Sequence, residues 1–441
     1  MPTLAIGVIG IVFLFVLLVL GVHIGLALGV VGFFGIWAVL GSPVPALAGL
    51  DSVPYRACAS YSLTVVPLFV IMGIFATQAG ISRRIYEWVR MWLGRIPGVE
   101  GIATVGGCTI FGAVCGSAVA TASVFTKIGV PEMLRHGYGK KLSSGIVASS
   151  GIIGMLIPPS IYAVLVGAMT GVSIGRLLIA GIVPGLLVAA VFCIYVIVHM
   201  SRAGSRNADT TAALERITWR MRIRSLGWPE MWLVVVLFGV IAGGIYGGVF
   251  STTAAGGVAA FVAMLFPLLM RRMSWTSFKG AALETGGVVG MVFIILIGAA
   301  IFKNFLLVSG LGSALIAVVA SEALPPMAIL IIMMVVYLVM GCFLDSISMM
   351  AITLPIFFPI SETLGWDPIW FCTLVVLNIN IGLLTPPLGL NVYTVKAAIG
   401  PDVSLEEVFL GIVPFFVLLL GVLALLILFP PLATWLPSTM R

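Results

Sequence analysis

Two pairs of consecutive prolines stand in nearly the same setting: GMLIPPSI from Gly154 to Ile161, and GLLTPPLG from Gly382 to Gly389. Proline has no N–H and its ring clashes with the preceding turn, so each pair interrupts a helix. In hydrocarbon, every freed backbone group is costly unless protein, water or an ion takes it up. An interrupted helix also offers two useful ends. Carbonyls closing the first half suit a cation, and N–H groups opening the second suit an anion. Sodium, a hard ion, matches such oxygen donors. The competing reading is a kink that serves packing alone. Against it, each pair follows a small or polar segment by the same 41 residues, counted from Ser117 to Pro158 and from Asp345 to Pro386.

Those segments are GAVCGSAVATAS, containing Ser117, Thr121 and Ser123, and GCFLDSIS, containing Gly341 and Asp345. The small residues of the first permit close backbone packing. Alternatively Ser117, Thr121 and Ser123 line a wet cavity and hold an ion or substrate; both readings stay open. Asp345 is read as the one carboxylate inside an apolar stretch, where it is costly unless paired or wet. It binds an ion or steadies the turn, in preference to merely capping a helix that starts at Ser346. Thr385 and Asn391 are further candidates beside the second break, ahead of Asn378 and Asn380. Lys396 sits near a span end, where a lysine snorkels, yet close enough to that break to meet an anionic substrate.

The rest of the chain must position these residues. Of 441 residues, 61% are hydrophobic and 8% are charged, with mean hydropathy +1.25. A soluble domain carries roughly 25% charged residues, so this is a polytopic membrane protein. The net charge of +7 comes from short basic clusters between apolar runs, which is membrane topology rather than a nucleic-acid surface. There is no GxxxxGK[ST] loop, no HExxH and no CxxC, so ATP hydrolysis by a P-loop and metalloprotease chemistry are excluded.

Apolar periodicity and length predict spans near 4–21, 24–40, 59–79, 140–170, 177–200, 230–248, 252–270, 285–305, 367–398 and 411–434. Stretches 98–130 and 325–360 read as re-entrant hairpins with the two segments above at their tips. With an outside N-terminus this layout puts 18 of 22 Lys and Arg on the inner side, all except Arg56, Arg176, Lys303 and Arg441. Residues 1–229 and 230–441 then form two repeats. Pro158-Pro159 matches Pro386-Pro387, Ser117 matches Asp345, and GIVP recurs at Gly181 and Gly411. An odd number of spans per repeat makes the second copy upside down, the plan of secondary transporters. The amphipathic ISRRIYEWVRMWLG, from Ile81 to Gly94, should lie along the inner surface, with a counterpart from Val308 to Leu324 outside. The Arg-rich loop from Ser201 to Glu230 reads as a membrane-facing linker. The fold class is therefore all-α integral membrane: about ten spans and two helical hairpins.

The order of tip GSAVATASVF, break GMLIPPSI, tip CFLDSISMM and break NIGLLTPPLG resembles the large membrane subunit of tripartite ATP-independent periplasmic (TRAP) transporters. The resemblance covers nearly the whole chain. It implies sodium-driven import of an organic acid of the dicarboxylate, sialic acid or keto acid class across the bacterial inner membrane, with both termini periplasmic, by an elevator motion of hairpins and broken helices against a fixed scaffold. It also implies two partners, a periplasmic substrate-binding protein and a small membrane subunit of about four spans; nothing before residue 4 is expected to supply the latter. Sodium ions would be the coupling ions, with no organic cofactor. One site would involve Ser117 with Gly154, Ile157 and Pro159. The other would involve Gly341 and Asp345 with Gly382, Thr385 and Leu388. Ser117, Thr121, Ser123, Thr385, Asn391 and Lys396 would serve the substrate. A stand-alone carboxylate symporter and a channel are the rival readings; no enzyme activity is expected.

Overall fold

The computed structural model describes residues 3–94, 96–202, 218–320, 324–387 and 389–440. Leu388 and the basic residues Arg95, Arg206, Arg216 and Arg441 lie outside the described residues. Everything described is helix or connection, as the apolar composition requires when backbone groups must be paired within each segment.

The uncharged opening stretch forms two helices, Thr3–Val19 and Ile24–Leu40, turning at Gly21, whose φ of 80° favours glycine. Among the described residues, seven helices are long and apolar enough to cross a membrane. One of them, Ser346–Thr363, is an arm of the second hairpin. The other six, the two N-terminal helices and the two interrupted ones account for the ten expected spans.

Three elements differ in their bounds from expectation, and a fourth is new. Helix Trp275–Val308 runs 34 residues and begins ten residues before the apolar window that announced it. The last span is Leu405–Leu428, opened by a Ser404–Glu407 capping box and closed before Pro430; a separate short helix, Pro431–Ser438, follows. The expected outer counterpart of the surface helix is Leu311–Ala320, and residues 321–323 beyond it lie outside the described residues. Helix Pro43–Cys58 had no counterpart in the expectation at all. Ser42 caps it, its Oγ accepting from the Val44 N–H at 3.3 Å, and Pro43 takes the first helical position.

The hairpins are Val99–Cys115 with Ala118–Arg135, and Pro326–Gly341 with Ser346–Thr363. Each is followed by an interrupted helix: Lys140–Ser150 and Ile161–Thr170 in the first case, Pro368–Gly382 and Leu390–Ile399 in the second. The packing crosses between the two sets. Ile161–Thr170 lies against the second hairpin's arm Ser346–Thr363, and Leu390–Ile399 lies against the first hairpin's arm Ala118–Arg135. The last span, Leu405–Leu428, packs on the half-helix Lys140–Ser150 so closely that a Cβ on Gly145 would fall 2.1 Å from the Gly411 carbonyl oxygen.

A second group of helices packs around the long helix Trp275–Val308. Ile24–Leu40 lies along it through Gly25 and Gly32, and a Cβ on Gly298 would come 2.1 Å from the Gly25 oxygen. Val65–Gln78 and Thr252–Leu269 complete this group, with Gly256 against Phe69. Small residues let helix backbones approach where lipid gives no hydrophobic drive to associate.

Candidate functional site

Each hairpin meets its own break through a pair of glycines. A Cβ on Gly154 would lie 2.2 Å from the Gly112 Cα, and one on Gly341 would lie 2.5 Å from the Gly382 Cα. Both contacts are backbone against backbone, leaving no room for any side chain. At the first tip, Gly116 turns with φ of 66°, and its Cα faces the Pro159 carbonyl oxygen, which a Cβ would approach to 3.2 Å. Thus Gly154 and Pro159 are brought to the tip carrying Ser117, and Gly341 is brought to Gly382.

Ser117 is the N-cap of the hairpin's second arm: its Oγ accepts from the Ala120 N–H at 3.2 Å. The Thr121 hydroxyl donates to the Ser117 carbonyl oxygen at 2.7 Å. Ile157 is buried within a break whose every residue from Gly151 to Ser160 is buried. Ser160 closes that break, donating to the Met155 oxygen and accepting from the Ala163 N–H at 3.2 Å. The second break is more open: Thr385 is half-buried, and Pro386 and Pro387 are exposed. The Thr385 hydroxyl donates to the Ile381 oxygen at 3.1 Å.

Asp345 has cap geometry. One carboxylate oxygen accepts from the N–H groups of Ile347 and Ser348 at 3.1 and 3.2 Å, and the other accepts from the Ser348 hydroxyl. Asn391 is fully buried and joins the two breaks: its Nδ2 donates to the Ala148 carbonyl oxygen at 3.2 Å. Its Oδ1, together with Ser149 Oγ and Ser150 Oγ in the same break region, has no hydrogen-bond partner among the described residues. Buried oxygens of this kind are available to a cation or an ordered water.

Two candidates are not brought to the tips. The Lys396 ammonium donates to the carbonyl oxygens of Gly400 and Val403 at 2.7 and 2.6 Å, in the turn beyond its helix. Ser123 is half-buried on the hairpin arm, two residues past Thr121.

A cavity of about 340 Å³ opens between the first tip and the second helix group. The tip lines it from Cys115 to Ala120, the first break contributes Met155, Ile161 and Tyr162, and Ile347 enters from the second tip. The opposite wall is Gly73, Thr77, Gln78 and Glu284. Gly73 abuts the tip: a Cβ there would lie 2.2 Å from the Cys115 carbonyl oxygen. Among the described residues, no Lys, Arg or His lines this space. Glu284 corrects the reading of Asp345 as the one carboxylate in an apolar stretch. It stands one residue ahead of the apolar run expected from 285, within a helix that starts at Trp275.

Glu100 is a second such correction. It lies in the first turn of the first hairpin, 2% exposed. Arg90 of the surface helix Ile81–Leu93 reaches it at 3.6 Å, and His136 at the hairpin's other end is 3.6 Å away. Arg90 also stands 4.0 Å from Glu132. Tyr86 packs beside this group, where burial first and then Glu100 hold its hydroxyl well above the ordinary tyrosine range. The surface helix is thereby pinned to the hairpin base.

Paired helix-turn-helix hairpins, each seated on a broken helix in an all-helical membrane protein, define a transporter core. The chain belongs to the family described as tripartite ATP-independent periplasmic transporter, DctM component, which matches residues 11–432. It is the large permease subunit of such a system. It is 33% identical over 379 residues to the C4-dicarboxylate TRAP transporter large permease protein DctM of Pseudomonas aeruginosa, covering 86% of each chain. It is 30% identical over 407 residues to the isethionate TRAP transporter permease protein DctMQ of Oleidesulfovibrio alaskensis. That match covers 92% of this chain and 62% of the relative. The crystal structure of the YdaH transporter of Alcanivorax borkumensis shares the fold, with a TM-score of 0.60 at 14% identity over 90% of each chain.

Proposed function

We propose that this subunit imports an organic acid by symport with sodium, moving the hairpins and broken helices as one body against the helices around Trp275–Val308. The reading rests above all on the matched glycine contacts, Gly112–Gly154 and Gly341–Gly382, which press each tip backbone against a break. Sodium would be held between tip and break by backbone oxygens near Ser117, Gly154, Ile157 and Pro159, and near Gly341, Gly382, Thr385 and Leu388, with Asp345 shaping the second turn. Ser117, Thr121, Thr385 and Asn391 would face the substrate.

The organic-acid reading rests on the relatives rather than on free helix starts, since Ser117, Asp345 and Ser160 already cap the helices that follow both tips and the first break. The relatives named for C4-dicarboxylates and isethionate carry anionic substrates in their names. The helices cross between the two halves in the manner of an inverted repeat, with 1–229 and 230–441 as its copies and the N-terminus outside. A small membrane subunit and a periplasmic binding protein complete the system.

The test is uptake into liposomes. The chain, reconstituted with the small membrane protein and the binding protein encoded beside it, should accumulate substrate only with sodium outside. Accumulation by the chain alone would overturn the three-part reading, and accumulation without a sodium gradient would overturn the coupling.

A further inference from the structure

The short helix Trp219–Ser225, with sequence WRMRIRS, follows the linker between the two halves and packs on the surface helix Ile81–Leu93. We propose that it forms, with the C-terminal end of that surface helix, a binding site for the headgroup of an anionic phospholipid of the inner leaflet. The proposal rests on the proposed orientation, which puts this helix on the inner side, and not on the identity of the transported substrate.

Four observations carry it. Arg220 and Arg224, one turn apart, both lie exposed on one face. Among the described residues, neither is paired with a carboxylate. On the neighbouring surface helix, by contrast, Arg83 and Arg84 both pair with Glu87, at 3.2 and 3.1 Å. Second, Trp219, Met221 and Ile223 flank these arginines and are 63%, 48% and 52% exposed. Alternation of guanidinium and large apolar side chains outside the spans suits the interfacial layer, where phosphate and acyl chain meet.

Third, the indole of Trp219 is seated edge-on against Trp92, with centroids 6.1 Å apart, and Trp92 lies on Trp88 at 5.8 Å. Aromatic shelves of this kind sit at headgroup depth. Fourth, Arg222 turns inward beneath the helix. Its Nη2 would be 2.7 Å from a Cβ on Gly94, where the surface helix ends with φ of 65°. The Ser225 hydroxyl donates to the Arg222 carbonyl oxygen at 2.6 Å and fixes that inner face. The exposed pair is therefore presented on a held platform, with apolar neighbours that an acyl chain covers and a free anion does not.

The experiment uses the purified full chain in detergent, with dioctanoyl phosphatidylglycerol or dioctanoyl phosphatidylcholine titrated in and bound lipid counted by native mass spectrometry. Phosphatidylglycerol should bind saturably and phosphatidylcholine should not. Arg220→Gln with Arg224→Gln should weaken phosphatidylglycerol binding roughly ten- to thirty-fold. Trp219→Ala should weaken it less, and Arg83→Gln, whose partner is Glu87, should leave it unchanged. Equal retention of both lipids, or an unaffected double variant, would overturn the proposal. So would displacement by millimolar inorganic phosphate, which points to a free anion, or by a polyglutamate peptide, which points to an acidic protein partner.

Discussion

The Asn391 amide hydrogen-bonds the Ala148 carbonyl oxygen across 243 residues of sequence, joining the half-helix that follows the second break to the half-helix that precedes the first. Both residues are fully buried. Asn391→Leu leaves that carbonyl without a partner, at a cost of about 1–3 kcal/mol. Its thermal unfolding in detergent should shift down by several degrees relative to the parent, and uptake should fall with it. An unchanged melting temperature would mean that the bond adds nothing to holding the two halves together.

The glycine pairs predict a steep and local effect. Gly154→Ala and Gly341→Ala each drive a methyl into the opposing backbone, at 2.2 and 2.5 Å. Overpacking of this kind costs about 1–3 kcal/mol where neighbours can yield, and backbone yields poorly. Sodium-dependent uptake should drop at least ~10-fold in both. Gly280→Ala is the control, since a Cβ there meets nothing within 4 Å. Wild-type uptake by Gly154→Ala would show that tip and break are not in the stated register.

Asp345 separates two roles by choice of substitution. Asparagine caps helices about as well as aspartate, whereas alanine loses about 1 kcal/mol. If Asp345 only caps, Asp345→Asn should keep both stability and the sodium concentration for half-maximal uptake. If its charge also serves an ion, Asp345→Asn should keep stability while that concentration rises several-fold. A sodium titration of the two variants distinguishes these outcomes.

Gly73 faces the Cys115 carbonyl across the boundary between the two helix groups. Gly73→Val should wedge the first tip away from Val65–Gln78 and slow uptake at least ~10-fold while leaving substrate binding within about threefold. Binding by isothermal calorimetry beside uptake in liposomes provides the check; equal losses in both would place the effect on binding instead.

Glu284 gives the cavity its negative wall. Glu284→Gln should raise the sodium concentration for half-maximal uptake at low ionic strength, by roughly threefold, and much less at high salt. A shift independent of salt would show that Glu284 acts by direct contact rather than through its field.

The breaks and tips were legible because proline leaves little freedom: two residues without N–H groups force an interruption wherever they fall. The cap at Asp345 stood only as the less favoured alternative to an ion site, because an acidic residue ahead of an apolar run fits both roles, and the structure shows the cap geometry. The glycine contacts were not, since 52 glycines carry no mark of which face meets which neighbour. Asn391 could be shortlisted for its polarity, but its partner is a backbone carbonyl, a group every residue has. Glu284 lies in the polar first turns of a helix whose apolar run starts only after it. Helix Pro43–Cys58 was hidden by its own prolines, although Ser42 followed by Pro43 was a start signal in plain view.

The exchange of partners between the halves sets a schedule for biogenesis. The arm Ala118–Arg135 is synthesised some 255 residues before Leu390–Ile399, the helix it finally rests against. At ~5–20 residues per second that interval is on the order of tens of seconds. Throughout it the first hairpin stands in the bilayer without its permanent neighbour, so the early half must be sheltered by the insertion machinery or by its own temporary packing until the chain is nearly finished.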